Sequence, residues 1–295
     1  MYEEADDGGR YRRYADPIAV GDDALISVSG IDGAIEELLP RRSKLARLLP
    51  KADDRAPDVE QIIAANIDAV VIVASVKNPR LNLRYIDRLL ILAEFGGAQP
   101  ILLLNKCDLL KPGEREELDQ TLQRIYGPAG VETFGASALQ PETLEPLKGR
   151  IKGLFSVFVG QSGAGKSSVL NALDPSLDLR VREVSEATRK GRHTTAFVQM
   201  YELPFGAHIA DTPGLREVGI WGTPTEMLDY YFKEMRPYLG QCRFSDCWHF
   251  EEPGCAVRGA VETGGVSPER YQSYRRLCQE GPVEEHERRP KRLRS

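Results

Sequence analysis

The sequence predicts a multidomain α/β protein whose central part is a mostly parallel sheet with flanking helices. Three observations predict it. Short apolar runs at 69–74, 101–104, 131–134, 154–159 and 208–210 alternate with amphipathic stretches at 83–95, 114–126 and 166–173, and continuous apolar runs between helices mark parallel strands buried on both faces. Polar motifs follow three of those runs, at the strand ends where open α/β sheets bind ligands. Beyond the last run, Cys242, Cys247, His249 and Cys255 stand together in a segment of their own.

In chain order, residues 22–37 carry short β-like pieces broken by Gly30 and Gly33, and 52–58 is a polar stretch containing Pro57 that reads as a linker. The stretch 62–76 reads as a helix passing into the strand at 69–74; Asn66 and Asp68 interrupt it, and it is too short to span a bilayer. Gly222-Thr223-Pro224-Thr225 breaks the chain ahead of a helix expected over 226–238. These signals divide the chain into units at 1–57, 58–222 and 223–295. A length of 295 residues with 41% hydrophobic residues suffices to bury the cores of two or three domains.

Among the motifs, Asn105-Lys106-Cys107-Asp108 comes first, Gly160-Gln161-Ser162-Gly163-Ala164-Gly165-Lys166-Ser167 second, and Asp211-Thr212-Pro213-Gly214 third. They are the parts of a guanine-nucleotide site. In a Ras-like GTPase the phosphate loop opens the domain, so here the central domain reads as a circularly permuted P-loop GTPase domain: permutation moves the chain ends and keeps the packed contacts. Gly160, Gly163 and Gly165 let the backbone curl so that its N–H groups face the phosphates, Lys166 reaches the β/γ oxygens, and the Ser167 hydroxyl ligates Mg²⁺. Gln161, Ser162, Ala164 and Ser168 complete the expected nucleotide contacts. The Asp108 carboxylate can accept from the two N–H donors that guanine presents and adenine does not. Asn105 would tether this loop to the phosphate loop, the Lys106 stem would cover the base, and Ser137 and Ala138 read as the companion loop offering a backbone N–H to the guanine carbonyl.

Asp211 is expected to hold Mg²⁺ directly or through water, with the Gly214 N–H meeting the γ-phosphate. Leu215 stands where a Ras-like enzyme carries the Gln that orients the attacking water, so slow intrinsic turnover is expected. Either Thr194 or Thr195 would close over Mg²⁺ and γ-phosphate as a switch residue. His193 is a candidate for positioning water; a surface residue or a partner contact is the other reading. Downstream, Cys242-x4-Cys247-x-His249-x5-Cys255 matches the Cys3His set of a structural zinc site, one per chain. A disulfide pair is the alternative, but an odd total of 5 cysteines and no secretory signal point to a reducing compartment. Cys107 and Cys278 are expected to be free thiols.

A net charge of −5 argues against a generally nucleic-acid-coated protein, while Arg41, Arg42, Lys44, Arg47 and Lys51, and the C-terminal Arg288, Arg289, Lys291, Arg292 and Arg294, leave local contacts open. Tyr11, Tyr14, Trp248 and Phe250 could stack on bases or simply pack.

The motif order, Gly-Arg-His-Thr-Thr at 191–195 ahead of Asp-Thr-Pro-Gly-Leu at 211–215, and the trailing Cys-x4-Cys-x-His-x5-Cys together resemble the ribosome small-subunit-dependent GTPase A family (RsgA/YjeQ), over most of the chain from about Val20 to the cysteine segment. The resemblance implies a ribosome-stimulated GTPase hydrolysing GTP to GDP and phosphate in late small-subunit assembly, with an N-terminal OB-fold domain, a permuted GTPase domain and a C-terminal helical zinc-binding domain with a basic tail. The small subunit and its rRNA would be the partners. Ala196 departs from the Thr run of relatives, and the short acidic region before Val20 leaves the OB fold incomplete. A monomer is expected, with no membrane role, in the bacterial cytoplasm or, for a processed chain, an organellar stroma. Alternatives are an RNA-binding scaffold using GTP as a structural ligand, another permuted ribosome-assembly GTPase, or a P-loop kinase, which Asp108 opposes.

Overall fold

The computed structural model describes residues 2–5, 11–48, 59–179, 198–211 and 227–280. Tyr2–Ala5 (β1), Tyr11–Tyr14 (β2), Ala24–Ser29 (β3), Asp32–Leu38 (β4), Lys44–Leu48 (β5) and Val59–Ala65 (β6) lie ahead of the central sheet. They form a 4-stranded sheet in the order β1-β2-β6-β5 and a separate hairpin of β3 and β4. The acidic N-terminal segment thus supplies two paired strands. Gly30, with φ 65°, makes the hairpin turn, whereas Gly33 lies inside β4 and breaks nothing.

The stretch 62–76, expected to begin as a helix, is strand, turn and strand. So short an apolar run does not by itself separate a helix from a buried strand. Antiparallel pairing of β6 with β5 decides it, and Asn66 at φ 53° makes the turn. Because β6 starts at Val59 and completes the first sheet, it lies past the expected division after residue 57.

The central unit then runs Ala69–Ser75 (β7), Leu83–Phe95 (α1), Gln99–Asn105 (β8), Glu114–Tyr126 (α2), Glu132–Gly135 (β9), Glu145–Ile151 (α3), Phe155–Val159 (β10), Lys166–Leu173 (α4), Gln199–Glu202 (β11) and His208–Asp211 (β12). Its 6-stranded sheet has the order β11-β12-β10-β7-β8-β9, parallel except for β11 against β12. The phosphate-loop strand β10 thus comes after β8 in the chain yet lies beside β7 in the sheet, in keeping with permutation. Alternation along β7 sets the two faces: Val70 and Ile72 pack with Ile86, Leu89, Leu122 and Ile125 of α1 and α2. Val71 and Val73 pack with Leu147 and Ile151 of α3 and Val169, Leu170 and Leu173 of α4. Sequence signals left α3 unmarked, since Pro146 and Gly149 dilute its pattern.

Next come Leu228–Tyr231 (α5), a 3₁₀ turn at Lys233–Tyr238, Ala256–Thr263 (α6) and Pro268–Glu280 (α7). The helix expected over 226–238 is thus broken within its described part. The break falls at Phe232, whose ψ of 89° lies outside the helical region, and Pro237 sits within the 3₁₀ turn that follows. Phe232, Met235, Val257, Tyr274 and Leu277 form a core that also takes in Ile91 of α1. At this junction the buried Arg270 guanidinium donates to Asp87 Oδ1 at 2.7 Å and to Glu234 Oε1 at 2.6 Å. It lies over the Phe232 ring at 4.4 Å. Outside it, Arg124 meets Glu269, and Lys233 and Arg236 meet Glu94.

Candidate nucleotide site and metal centre

The parallel strands β7, β8, β10 and β12 point their carboxyl ends the same way, and the sequence motifs emerge there. After Val159 the chain turns through 160–165 into α4. Gly160 adopts φ 152°, and a Cβ there would strike the Val73 carbonyl; Gly165, at φ 93°, leaves no room for a Cβ beside the Asn105 amide. Only glycine fits either place. Gly165 is the N-cap of α4, so the turn ends on backbone N–H groups at a positive helix end, an arrangement suited to phosphate. Lys166 Nζ donates to Gly160 O at 2.7 Å and Gln161 O at 3.4 Å, which keeps the ammonium folded over the turn. Ser167 and Ser168 occupy the first turn of α4, half-buried; Ala164 is buried and Ser162 exposed.

Asn105, only 1% exposed at the end of β8, joins separate loops. Its Nδ2 donates to Ala164 O at 2.9 Å, and its Oδ1 accepts from Ala138 N at 3.0 Å. Lys106, at φ 65°, turns its chain across the site and donates through Nζ to Gly163 O at 2.8 Å and to Asn78 O. Asp108 is exposed, and its Oδ1 accepts from Ser137 Oγ at 2.5 Å, which orients the carboxylate. Three sequence-expected segments, 105–108, 137–138 and 160–168, thus meet in one place. The Ala138 N–H, expected to face a guanine carbonyl, is here the donor that ties its loop to Asn105. Thr143 escaped sequence reading: its Oγ1 accepts from Ser137 N at 2.9 Å, and no local pattern announces that contact.

Asp211 ends β12, which pairs with β10 through Ala210 and Val157, so its backbone leaves the sheet beside the phosphate-loop strand. His193, Thr194, Thr195, Gly214 and Leu215 lie outside the described residues, as do Lys51, the 52–58 and 222–225 segments and the C-terminal arginines.

Cys242, Cys247, His249 and Cys255 come together, their ligand atoms all within 4.8 Å of one another. Cys242 Sγ and Cys255 Sγ are 3.9 Å apart, and none of the three cysteines is in a disulfide. His249 Nδ1 faces the thiols, 3.5 Å from Cys242 Sγ and 3.4 Å from Cys255 Sγ. Backbone N–H groups of His249, Ala256 and Arg258 point at Cys247, Cys242 and Cys255 sulfurs, each at 3.4 Å. Burial pushes the Cys247 and Cys255 thiols up, so ionising them together calls for a cation. Soft donors, tetrahedral in number, three of them buried and Cys242 half-buried, fit structural zinc. Behind the ring, His249 Nε2 lies 3.2 Å from Asp229 Oδ2, a carboxylate that sequence reading missed because α5 is remote from the cysteine motif. Cys107 and Cys278 stand apart, the first half-buried with Sγ 3.3 Å from Leu104 O, the second fully buried in the C-terminal core.

The chain is similar to known proteins in sequence and in fold. The family model described as RsgA GTPase matches residues 38–221. The chain is 44% identical over 266 residues to the small ribosomal subunit biogenesis GTPase RsgA of Gemmatimonas aurantiaca, covering 89% of this chain and 84% of that protein. It is 40% identical over 273 residues to the RsgA of Haemophilus influenzae, covering 91% and 77%. Among solved structures, YjeQ from Thermotoga maritima superposes with a TM-score of 0.72 at 32% identity, covering 93% of this chain and 91% of that one. YloQ, a circularly permuted GTPase, gives 0.70 at 26%, covering 97% and 91%.

Proposed function

Because the chain belongs to the RsgA GTPase family, we propose that it is a ribosome-stimulated GTPase that hydrolyses GTP to GDP and phosphate in late assembly of the small ribosomal subunit. The relatives named above are small ribosomal subunit biogenesis GTPases. The observation that carries the reading is the Asn105 joint, which holds the loop of Asp108, the loop of Ser137 and Ala138, and the phosphate loop in one register.

Asp108 selects guanine by accepting its N–H pair, with Ser137 aiming the carboxylate. Lys106 covers the base and Ala138 lines it. Residues 160–168 cradle the phosphates and Lys166 neutralises them. Ser167, Asp211 and Thr195 would hold Mg²⁺, which when bound supplies charge for the phosphate oxygens. Thr194 and Gly214 meet the γ-phosphate, and His193 positions water or touches the ribosome. Cys242, Cys247, His249 and Cys255 hold one structural zinc per chain. In functional terms we divide the chain into an N-terminal unit to residue 57, a GTPase unit over 58–222 and a zinc unit over 223–295, with β6 tying the first to the second. The protein works as a monomer on the small subunit and its rRNA in the bacterial cytoplasm; among the described residues no helix is long and apolar enough to cross a membrane.

Co-sedimentation with purified small subunits tests the partner. Retention with a non-hydrolysable GTP analogue and loss with GDP is the expected result. Equal retention in both states would remove the nucleotide from control of binding.

A further inference from the structure

We infer that Asp229 is the positioning residue that orients His249 toward the metal, and that through it the metal holds the start of α5, the first described element after β12. The inference rests on the zinc reading. His249 turns Nδ1 to the thiols and Nε2 to the Asp229 carboxylate. A neutral imidazole that gives Nδ1 to a metal carries its proton on Nε2, and that N–H then donates to Asp229 Oδ2 at 3.2 Å. His249 is 2% exposed and Asp229 0%, so water does not compete for the bond. Oδ1 of the same carboxylate accepts from Tyr230 N at 2.9 Å, which fixes the group on α5. His249 itself sits at φ 63°, a left-handed conformation held from the other side by the Tyr271 hydroxyl donating to its carbonyl at 2.5 Å. A carboxylate behind a ligating histidine fixes the ring and raises its basicity.

The test uses the full chain as purified with zinc. Three readouts are needed: metal content, the rate of zinc release to excess chelating dye, and the visible spectrum after cobalt substitution. Asp229→Ala is expected to release zinc about 10–100-fold faster and to shift the cobalt bands. Asp229→Asn keeps an acceptor oxygen without the charge and should fall between; it carries the test if the alanine variant fails to fold. Tyr274→Phe removes a 2.9 Å bond to Trp248 O nearby while leaving the ligands and Asp229 in place, and should release zinc at the parent rate. In the parent, amides of Leu228–Tyr231 should exchange faster once zinc is removed.

A parent chain without zinc would refute the zinc reading. A zinc-bearing parent whose Asp229 variants release metal at the parent rate would overturn the inference alone. So would an unshifted cobalt spectrum with equal acceleration in Tyr274→Phe, because that pattern is general loosening.

Discussion

Asp108 has one carboxylate oxygen held by Ser137 Oγ at 2.5 Å, and so presents an oriented acceptor pair rather than a free-swinging acid. Asp108→Asn places an amide donor against guanine's own donors. Each hydrogen bond to a charged group contributes about 1.5–3 kcal/mol, so the Kd for GTP should rise about 10–100-fold and the preference over ATP should disappear. Competition binding with both nucleotides checks this, and GTP and ATP binding alike to the unmodified protein would remove the guanine assignment. Ser137→Ala should weaken GTP by no more than about tenfold, since one orienting bond is lost and the acceptors remain. At this scale the sequence was most legible where the chemistry is contiguous. Asn105, Lys106 and Asp108 lie in one short motif, and Gly160 to Ser167 in another. Thr143 and Asp229 were illegible, because each acts on a partner brought to it by folding and neither residue type is unusual where it stands.

Among the elements, α7 reaches the GTPase unit through Arg270, which is fully buried between Asp87 of α1 and Glu234 of the 3₁₀ turn. Removing the guanidinium leaves two buried acids without their shared cation. Arg270→Ala should therefore cost about 3–5 kcal/mol, read as a lower urea midpoint by the combined fluorescence of Trp221 and Trp248. A midpoint unchanged from the parent would show that the junction does not depend on this ion group. Stripping the metal, or Cys247→Ser, should loosen α5, the 3₁₀ turn and α6 before the central sheet, since small metal modules draw folding energy from the ion. Hydrogen exchange resolved by segment checks the order, and simultaneous loss of both units would contradict it. Helices with a clean 3.6-residue pattern, α1, α2 and α4, were legible end to end. The run 62–76 was not, because pairing with β5 chose strand over helix, and the helix expected to 238 breaks at Phe232, ahead of the 3₁₀ turn that holds Pro237.

For the whole molecule, motif order was enough to foresee a permuted, mostly parallel sheet, and in the order β11-β12-β10-β7-β8-β9 the phosphate-loop strand β10 follows β8 in the chain. The N-terminal strands were harder to read, since the acidic segment carries no apolar alternation and its strands are set by pairing. Permutation sends the chain from β12 through 212–226 directly to α5, so the metal unit is the next described structure after the expected phosphate-sensing loop. That arrangement suits a switch whose output passes to a partner. Lys166→Ala should abolish hydrolysis with or without ribosomes. His193→Ala should spare GTP binding and lower only the stimulated rate; unchanged stimulated turnover would exclude His193 from the mechanism.

On the proposed function, GTP binds with its ground-state contacts in place and waits for the ribosome to position the attacking water, since Leu215 stands where a Ras-like enzyme carries Gln. The most direct measurement is phosphate release by the full-length, zinc-loaded protein, titrated with purified small ribosomal subunits at saturating GTP. Slow turnover alone and a maximal rate raised at least about tenfold by subunits are expected, with nucleotide affinity little changed. A maximal rate that stays flat across the titration, in protein shown to bind both GTP and the subunit, would contradict it.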